Sequence, residues 1–500
     1  MGFYENMKMN QKSITENGAV GYATSSHPLV DLNFAAGSFR SADVSEMTRL
    51  FSDAYAADPV NTIRWLFFLR DIKGGLGERD AFRILLRNAI SKGWIEKDRL
   101  PSIFYLIEKY GRYDDFITLA TSHELIKGVV EVLSNRLTRD MMFMRQGKPI
   151  TLLGKWMPSI NTSSKETKAL ARAIIKQMGL REVEYRKMLA ELRKYTNVVE
   201  TQISRNRWDK INYEGVPSQA NLKYKNAFMK HDGPRYREYI AQVNKGEAKI
   251  NAGTLYPADI VHRYGNFGWN RPKIDDTLEA LWKALSNDEI SNTLVVADGS
   301  GSMTWGSSPI LPIDVANALA IYFSERNHGE FANKYITFSR RPQFVEFYGL
   351  TTLRDKLALA YEHDECANTD IKAVFDLILF TAIKHKTPQS EMPERILIIS
   401  DMEFDDAAAR ECDETLFESI AKKYATAGYK LPRLVFWNVN SRTKTIPMQE
   451  NEEGVILVSG YSTHIADLVM SEKTDPYEAL LDKLKEYDDV DIITESTIRF

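Results

Sequence analysis

The stretch Leu294-Val295-Val296-Ala297-Asp298-Gly299-Ser300-Gly301-Ser302-Met303 constrains the fold more than any other part of the chain. An unbroken apolar run feeds straight into a turn of aspartate, glycine and serine. A short run of that kind, bounded by turn residues, predicts a strand buried on both faces of a parallel sheet. Ligands of such sheets bind at the carboxyl ends of the strands. Asp298, Ser300 and Ser302 therefore belong to a functional edge. One carboxylate and two hydroxyls are hard oxygen donors, which suit magnesium far better than zinc or copper.

From Thr293 onward, strand patterns alternate with helical ones, as in a parallel α/β domain. Strands are expected at 294–297, 334–338, 344–347, 396–400, 434–438 and 455–458. Helices are expected at 311–325, 351–360, 371–385, 414–428, 465–470 and 477–487.

The preceding half reads differently. Residues 1–40 resemble a loosely ordered arm. Helical spacing begins after Ser41-Ala42-Asp43, where Ser or Asp can cap a helix, and restarts at Asp58-Pro59, where proline suits the first turn. Further helical patterns run over 79–90, 100–110, 114–137, 164–178 and 183–194. Helices joined by short breaks predict a HEAT-like stack of repeats. Gly74-Gly75-Leu76-Gly77 follows a helix and lacks the Gly-Lys-Ser/Thr ending of a phosphate loop, so it reads as a turn. The expected boundaries are an arm at 1–40, a helical repeat domain at 41–270, a linker at 271–290 and an α/β domain at 291–500.

Charge separates along the same line. The chain carries a net charge of -3. Residues 151–270 carry 21 Lys+Arg against 11 Asp+Glu, whereas residues 271–500 carry 24 against 39. A basic middle joined to an acidic end points to separate jobs. The basic part is either a polyanion-binding surface or a solvated face that meets the acidic domain. Lys155, Arg193, Arg205, Arg207, Lys223, Lys225, Arg235 and Arg237, with Trp208 and Tyr224 among them, are the candidate contacts. Cations bind phosphate and aromatic faces stack on unpaired bases, a combination that suits single-stranded RNA; the alternative is ordinary helical packing. No stretch reaches the length of an apolar membrane span, no signal-peptide core opens the chain, and the two cysteines, Cys366 and Cys412, form no framework. A reduced, cytoplasmic protein without a membrane role is expected.

Two later stretches extend the opening turn. Asn368-Thr369-Asp370 precedes a helix, and Ile396-Leu397-Ile398-Ile399-Ser400-Asp401 is a second buried strand ending in a carboxylate. If their edges adjoin the first, Asp298, Ser300, Ser302, Thr369 and Asp401 converge, and two carboxylates balance a divalent cation. This set resembles the metal-ion-dependent adhesion site of von Willebrand factor A domains: Asp-x-Ser-x-Ser, then a Thr, then an Asp after a later strand. The family often has Asp-Gly at the last place, whereas this chain has Asp401-Met402-Glu403. The resemblance implies a Rossmann-like A domain that holds Mg2+, or another divalent cation such as Mn2+ or Ca2+. It also implies an open coordination position for an acidic residue of a protein ligand.

A helical repeat domain followed by an A domain resembles the Ro autoantigen and its bacterial relatives, the TROVE-module RNA-binding proteins. Lys109-Tyr110-Gly111-Arg112-Tyr113-Asp114-Asp115 resembles the turn between TROVE helices, and Asp71 to Arg79 resembles the Gly-rich turn before it. The chain is still closer to an uncharacterised family of bacteria, phages and plants. That likeness rests on Lys155-Trp156-Met157-Pro158-Ser159, Arg205-Asn206-Arg207-Trp208 and Lys249-Ile250-Asn251-Ala252-Gly253. In Ro-like proteins the helical repeats curve into a ring that the A domain closes, and the ring takes single-stranded RNA ends and structured RNA. The resemblance implies an RNA-binding scaffold rather than an enzyme. The alternative is a metal-dependent protein-interaction module without an RNA role. A magnesium-dependent hydrolase is a third reading, for which the sequence offers no second metal cluster and no His paired with a nucleophile.

Overall fold

The structure is a computed structural model and describes residues 12–40, 42–265, 272–286, 289–306, 308–338, 341–364, 370–405, 415–449 and 453–494. Thr369, Cys366, Cys412 and residues 266–271 lie outside the described residues. The chain forms two compact units, each discontinuous in sequence. The first gathers residues 1–62, 74–76 and 240–486; the second gathers residues 63–73, 77–239 and 487–500.

The first unit opens with a small antiparallel hairpin, β1 (Lys12–Ile14) and β2 (Val20–Tyr22). Its main sheet comprises β3 (Thr293–Asp298), β4 (Lys334–Phe338), β5 (Gln343–Glu346), β6 (Arg395–Ser400), β7 (Arg433–Asn438) and β8 (Val455–Ser459). Their order is β8-β7-β6-β3-β4-β5, parallel except for the edge strand β5. Counting main-sheet strands in chain order, this is 3-2-1-4-5-6, the doubly wound arrangement of Rossmann-like and A domains. Every residue of β3, β6 and β8 is buried, the reason these strands read as continuous apolar runs. The helix Pro312–Glu325, almost wholly buried, packs on β3, β4 and β6. The fold class is thus the one expected: a helical unit and a parallel-sheet α/β unit.

The N-terminal residues are integral to the α/β unit. Tyr22 and Ile446 exchange backbone hydrogen bonds of 2.8 and 2.9 Å. The helix Pro28–Ala35 packs on β8, and Asn438 Nδ2 donates to the Phe34 carbonyl at 2.8 Å. Gly37 must be glycine here, since a Cβ would stand 2.6 Å from the Asn438 carbonyl oxygen. The helix Val44–Ala57, capped by Asp43 as expected, follows. A helix, Asp276–Lys283, occupies the stretch expected as a linker; Asp275 caps it by accepting from the Thr277 and Leu278 amides.

The second unit stacks helices Arg79–Ser91, Leu100–Tyr110, Tyr113–Ile117, Ile126–Arg145, Lys165–Met178 and Glu182–Tyr195, which pack largely on sequence neighbours. The single helix expected over 114–137 is broken by a tight turn at Thr118–Thr121 and by Ser122. Gly74–Gly77 lies between two helices, Pro59–Arg70 and Arg79–Ser91, with no strand before it. The Gly111-Arg112-Tyr113-Asp114-Asp115 turn holds a buried ion network. Asp115, fully buried, accepts from Arg70 Nε and Arg83 Nε, each at 2.7 Å, and from the Arg112 amide at 2.9 Å. Asp114 accepts from Arg83 and Arg112 at 2.6 Å. This motif fastens helices together.

Candidate metal centre and basic surface

β3 and β6 are neighbours at the point where the strand order reverses, the usual ligand crevice of an open α/β sheet. The register Ala297–Ile399 places Asp298 and Ser400 side by side, and Ser400 Oγ donates to Asp298 Oδ2 at 2.6 Å. Asp298 Oδ1 accepts the Ser300 amide at 2.9 Å, and Ser300 Oγ lies 2.9 Å from Ser302 Oγ. Asp401 comes one residue after β6, and its Oδ1 accepts the Glu403 amide at 3.2 Å. Both carboxylates are 1% exposed.

Burial pushes Asp298 up to about 6, against the pull of the Ser400 and Ser300 hydrogen bonds. Burial, then the charge of Asp298, pushes Asp401 up to about 7, with Ser302 and Arg442 pulling it down. Two buried acids, the second raised by the charge of the first, are compensated by a cation. Among the described residues no three His, Cys, Asp or Glu side chains cluster to hold a metal. A divalent ion here would therefore rest on two carboxylates and on hydroxyls, a hard-oxygen set that fits Mg2+.

Asp298, Ser300, Ser302 and Asp401 thus come together; the placement of Thr369 is outside the described residues. The adjoining Asp370 caps the helix Ile371–His385, accepting from the Ala373 amide at 3.0 Å. Sequence reasoning missed four residues around the site. Ser400 was legible only once β3 and β6 were known to pair. Asp364 lies beside Gly299, where a Cβ would approach its Oδ1 to 2.8 Å. Burial, with the charges of Asp298 and Asp314, pushes Asp364 up to about 7 although Asn317 donates to it at 2.8 Å. Trp305 stands 75% exposed just past the turn. Arg442 Nη2 reaches Asp401 Oδ2 at 3.2 Å.

The departure at Met402-Glu403 falls on a backbone position that favours glycine. Met402 is fully buried with φ +63°, the left-handed region that glycine enters freely. Glu403, also buried, turns away from Asp401. Its Oε1 accepts the Arg442 and Thr443 amides, each at 2.9 Å, and its Oε2 accepts the Glu16 amide at 2.9 Å. Glu403 therefore ties the N-terminal hairpin to the 441–443 turn.

The eight expected basic contacts divide in two. Arg193 donates to the Gly154 and Met157 carbonyls and to Ser159 Oγ at 2.7–2.9 Å, and burial depresses its pKa. Arg235 pairs with Asp232 and donates to the Ile211 and Trp208 carbonyls. Lys155 pairs with Glu200 at 3.1 Å, and Lys225 is half-buried. Arg205, Arg207, Lys223 and Arg237 are exposed. Trp208 stacks on His231 with centroids 4.5 Å apart. Arg193→Ala is expected to cost the helical unit about 2–3 kcal/mol, whereas Arg207→Ala stays within about 0.5 kcal/mol, read from urea midpoints.

Residues 292–496 match a domain of unknown function, DUF7788, and residues 114–294 match another, DUF2828. The chain is similar to an uncharacterised protein of Acanthamoeba polyphaga mimivirus, with 29% identity over 523 residues, 96% of this chain and 88% of that protein. It also superposes on the crystal structure of the Deinococcus radiodurans Ro (RSR) protein at 11% identity, covering 88% of this chain and 90% of that one, with a TM-score of 0.36. A superposition that loose transfers no residue roles. Among the described residues no helix is long and apolar enough to cross a membrane.

Proposed function

We propose that this chain is a non-enzymatic scaffold that binds single-stranded or structured RNA on its helical unit. Its α/β unit would hold Mg2+ at an adhesion-type site open to an acidic side chain of a protein ligand. The observation that carries the RNA reading is the sorting of charge between structural units. Residues 77–239 of the helical unit carry 31 Lys+Arg against 19 Asp+Glu, a net of +12. Residues 240–486 of the α/β unit carry 26 against 37, a net of -11. Arg205, Arg207, Lys223 and Arg237 add exposed cations, and Trp208 stacks on His231. Phosphate contacts would supply affinity and aromatic faces would receive bases. The resemblance of the interhelical turns to TROVE proteins agrees with this reading.

The test is fluorescence anisotropy of labelled oligouridine titrated with protein across a salt series. Four phosphate contacts give a slope of log K against log salt of about -3. Charge reversal of all four residues to Glu is expected to flatten that slope and weaken binding. Binding that ignores salt, or no binding at all, defeats the RNA reading. For the α/β unit, the supporting feature is the convergence of Asp298, Ser300, Ser302 and Asp401 at the sheet's switch point. When bound, the ion would supply a Lewis-acid position for an incoming carboxylate. The residues around it would orient that position and keep water from the buried acids.

A further inference from the structure

Among the described residues, Arg442 sets a cation against the buried acids. Its Nη2 lies 3.2 Å from Asp401 Oδ2 and 3.1 Å from Glu16 Oε2. The two acids differ in situation: the Asp401 side chain is 1% exposed and that of Glu16 is 49% exposed. The backbones on both sides are fixed by one residue, since Glu403 accepts the amides of Arg442 and Glu16. The guanidinium thus sits on a clamped frame, bridging an inner and an outer carboxylate.

We propose that Arg442 is a resident counter-ion of the cation site, which a divalent ion displaces from Asp401 onto Glu16. The proposal rests on the divalent-cation reading above. A guanidinium and a divalent ion on one carboxylate repel each other, and the repulsion is strong where water is excluded. Without a metal, Arg442 partly compensates Asp401. With a metal, Asp298 and Asp401 together balance the ion, and Arg442 balances Glu16. Glu16 belongs to the turn between β1 and β2, so docking of the N-terminal hairpin and occupancy of the site are coupled. By linkage, each favours the other to the same degree.

The test is isothermal titration of the full chain with Mg2+. Arg442→Ala is expected to lower the dissociation constant about tenfold, equivalent to ~1.4 kcal/mol of relieved repulsion. Arg442→Lys keeps the charge and is expected to stay near wild type. Glu16→Gln is expected to weaken binding, and to lose most of that effect when Arg442 is already alanine. Equal or weaker Mg2+ binding in Arg442→Ala overturns the displacement while leaving the cation site standing. A wild-type chain that takes up no Mg2+ overturns both.

Discussion

Replacing Asp115 by alanine is expected to lower the stability of the helical unit by about 3–5 kcal/mol, the cost of removing one partner from a buried ion network. Asp115 is fully buried and is shared by Arg70, 5% exposed, and Arg83. Its removal strands the Arg70 guanidinium in the interior and leaves the Arg112 amide without its cap. Arg83 keeps Asp114, so the damage centres on Arg70. Asp80, 72% exposed and paired with the same Arg83, is the control: Asp80→Ala should change stability by less than about 0.5 kcal/mol. Because the chain has two units, the readout is hydrogen exchange at amides 112–117 across a urea series rather than one global transition. Equal protection in the two variants would show that the network adds little.

The parallel sheet was legible because strands buried on both faces leave a continuous apolar signal, and Asp298 and Asp401 followed from where those runs end. The strand ends shifted by a residue or so, since hydrogen-bond pairing, rather than apolarity, sets them. The N-terminal arm was not legible as part of the α/β unit. Its polar hairpin docks through backbone bonds to Ile446 and through Asn17 and Glu16 on Glu403, contacts between residues far apart in sequence. No local pattern encodes such pairs. The tail behaved likewise: Tyr487 donates to Asp71 at 3.0 Å, and Arg64 binds Asp491. Those bonds assign residues after 486 to the helical unit. For the cations, sequence separated positive from negative but could not separate Arg193, spent on carbonyls, from Arg207, exposed to solvent. That difference depends on which carbonyls lack a partner, and only folding decides it.

Adding Mg2+ is expected to stabilise the α/β unit by about 2.7 kcal/mol at a hundredfold excess over its dissociation constant. In a thermal scan this is a rise of several degrees in the transition of that unit, absent in chelator. Asp298→Ala should abolish the rise, because it removes one of the two charges that would balance the ion and leaves the Ser400 hydroxyl proton without that acceptor. Ser302→Ala removes a neutral donor and should shrink the rise without abolishing it. The starting point in chelator is informative as well. Burial raises the protonation of both Asp298 and Asp401, and the charge of Asp298 raises Asp401 further, so losing the Asp298 charge relieves Asp401. Asp298→Asn, which keeps the shape and drops the charge, is therefore expected to be no less stable than wild type without metal and clearly less stable with it. A hydrogen-bond role alone predicts the opposite ordering: the Asn variant would be weaker in chelator and would keep the full response to Mg2+. Glu403→Gln separates the site from its frame. It weakens the clamp on the Glu16 and Arg442 amides yet leaves Asp298, Ser300, Ser302 and Asp401 in place, so the rise with Mg2+ should persist at reduced size. A rise of equal size in wild type and Asp298→Ala would mean that Mg2+ acts elsewhere on the chain.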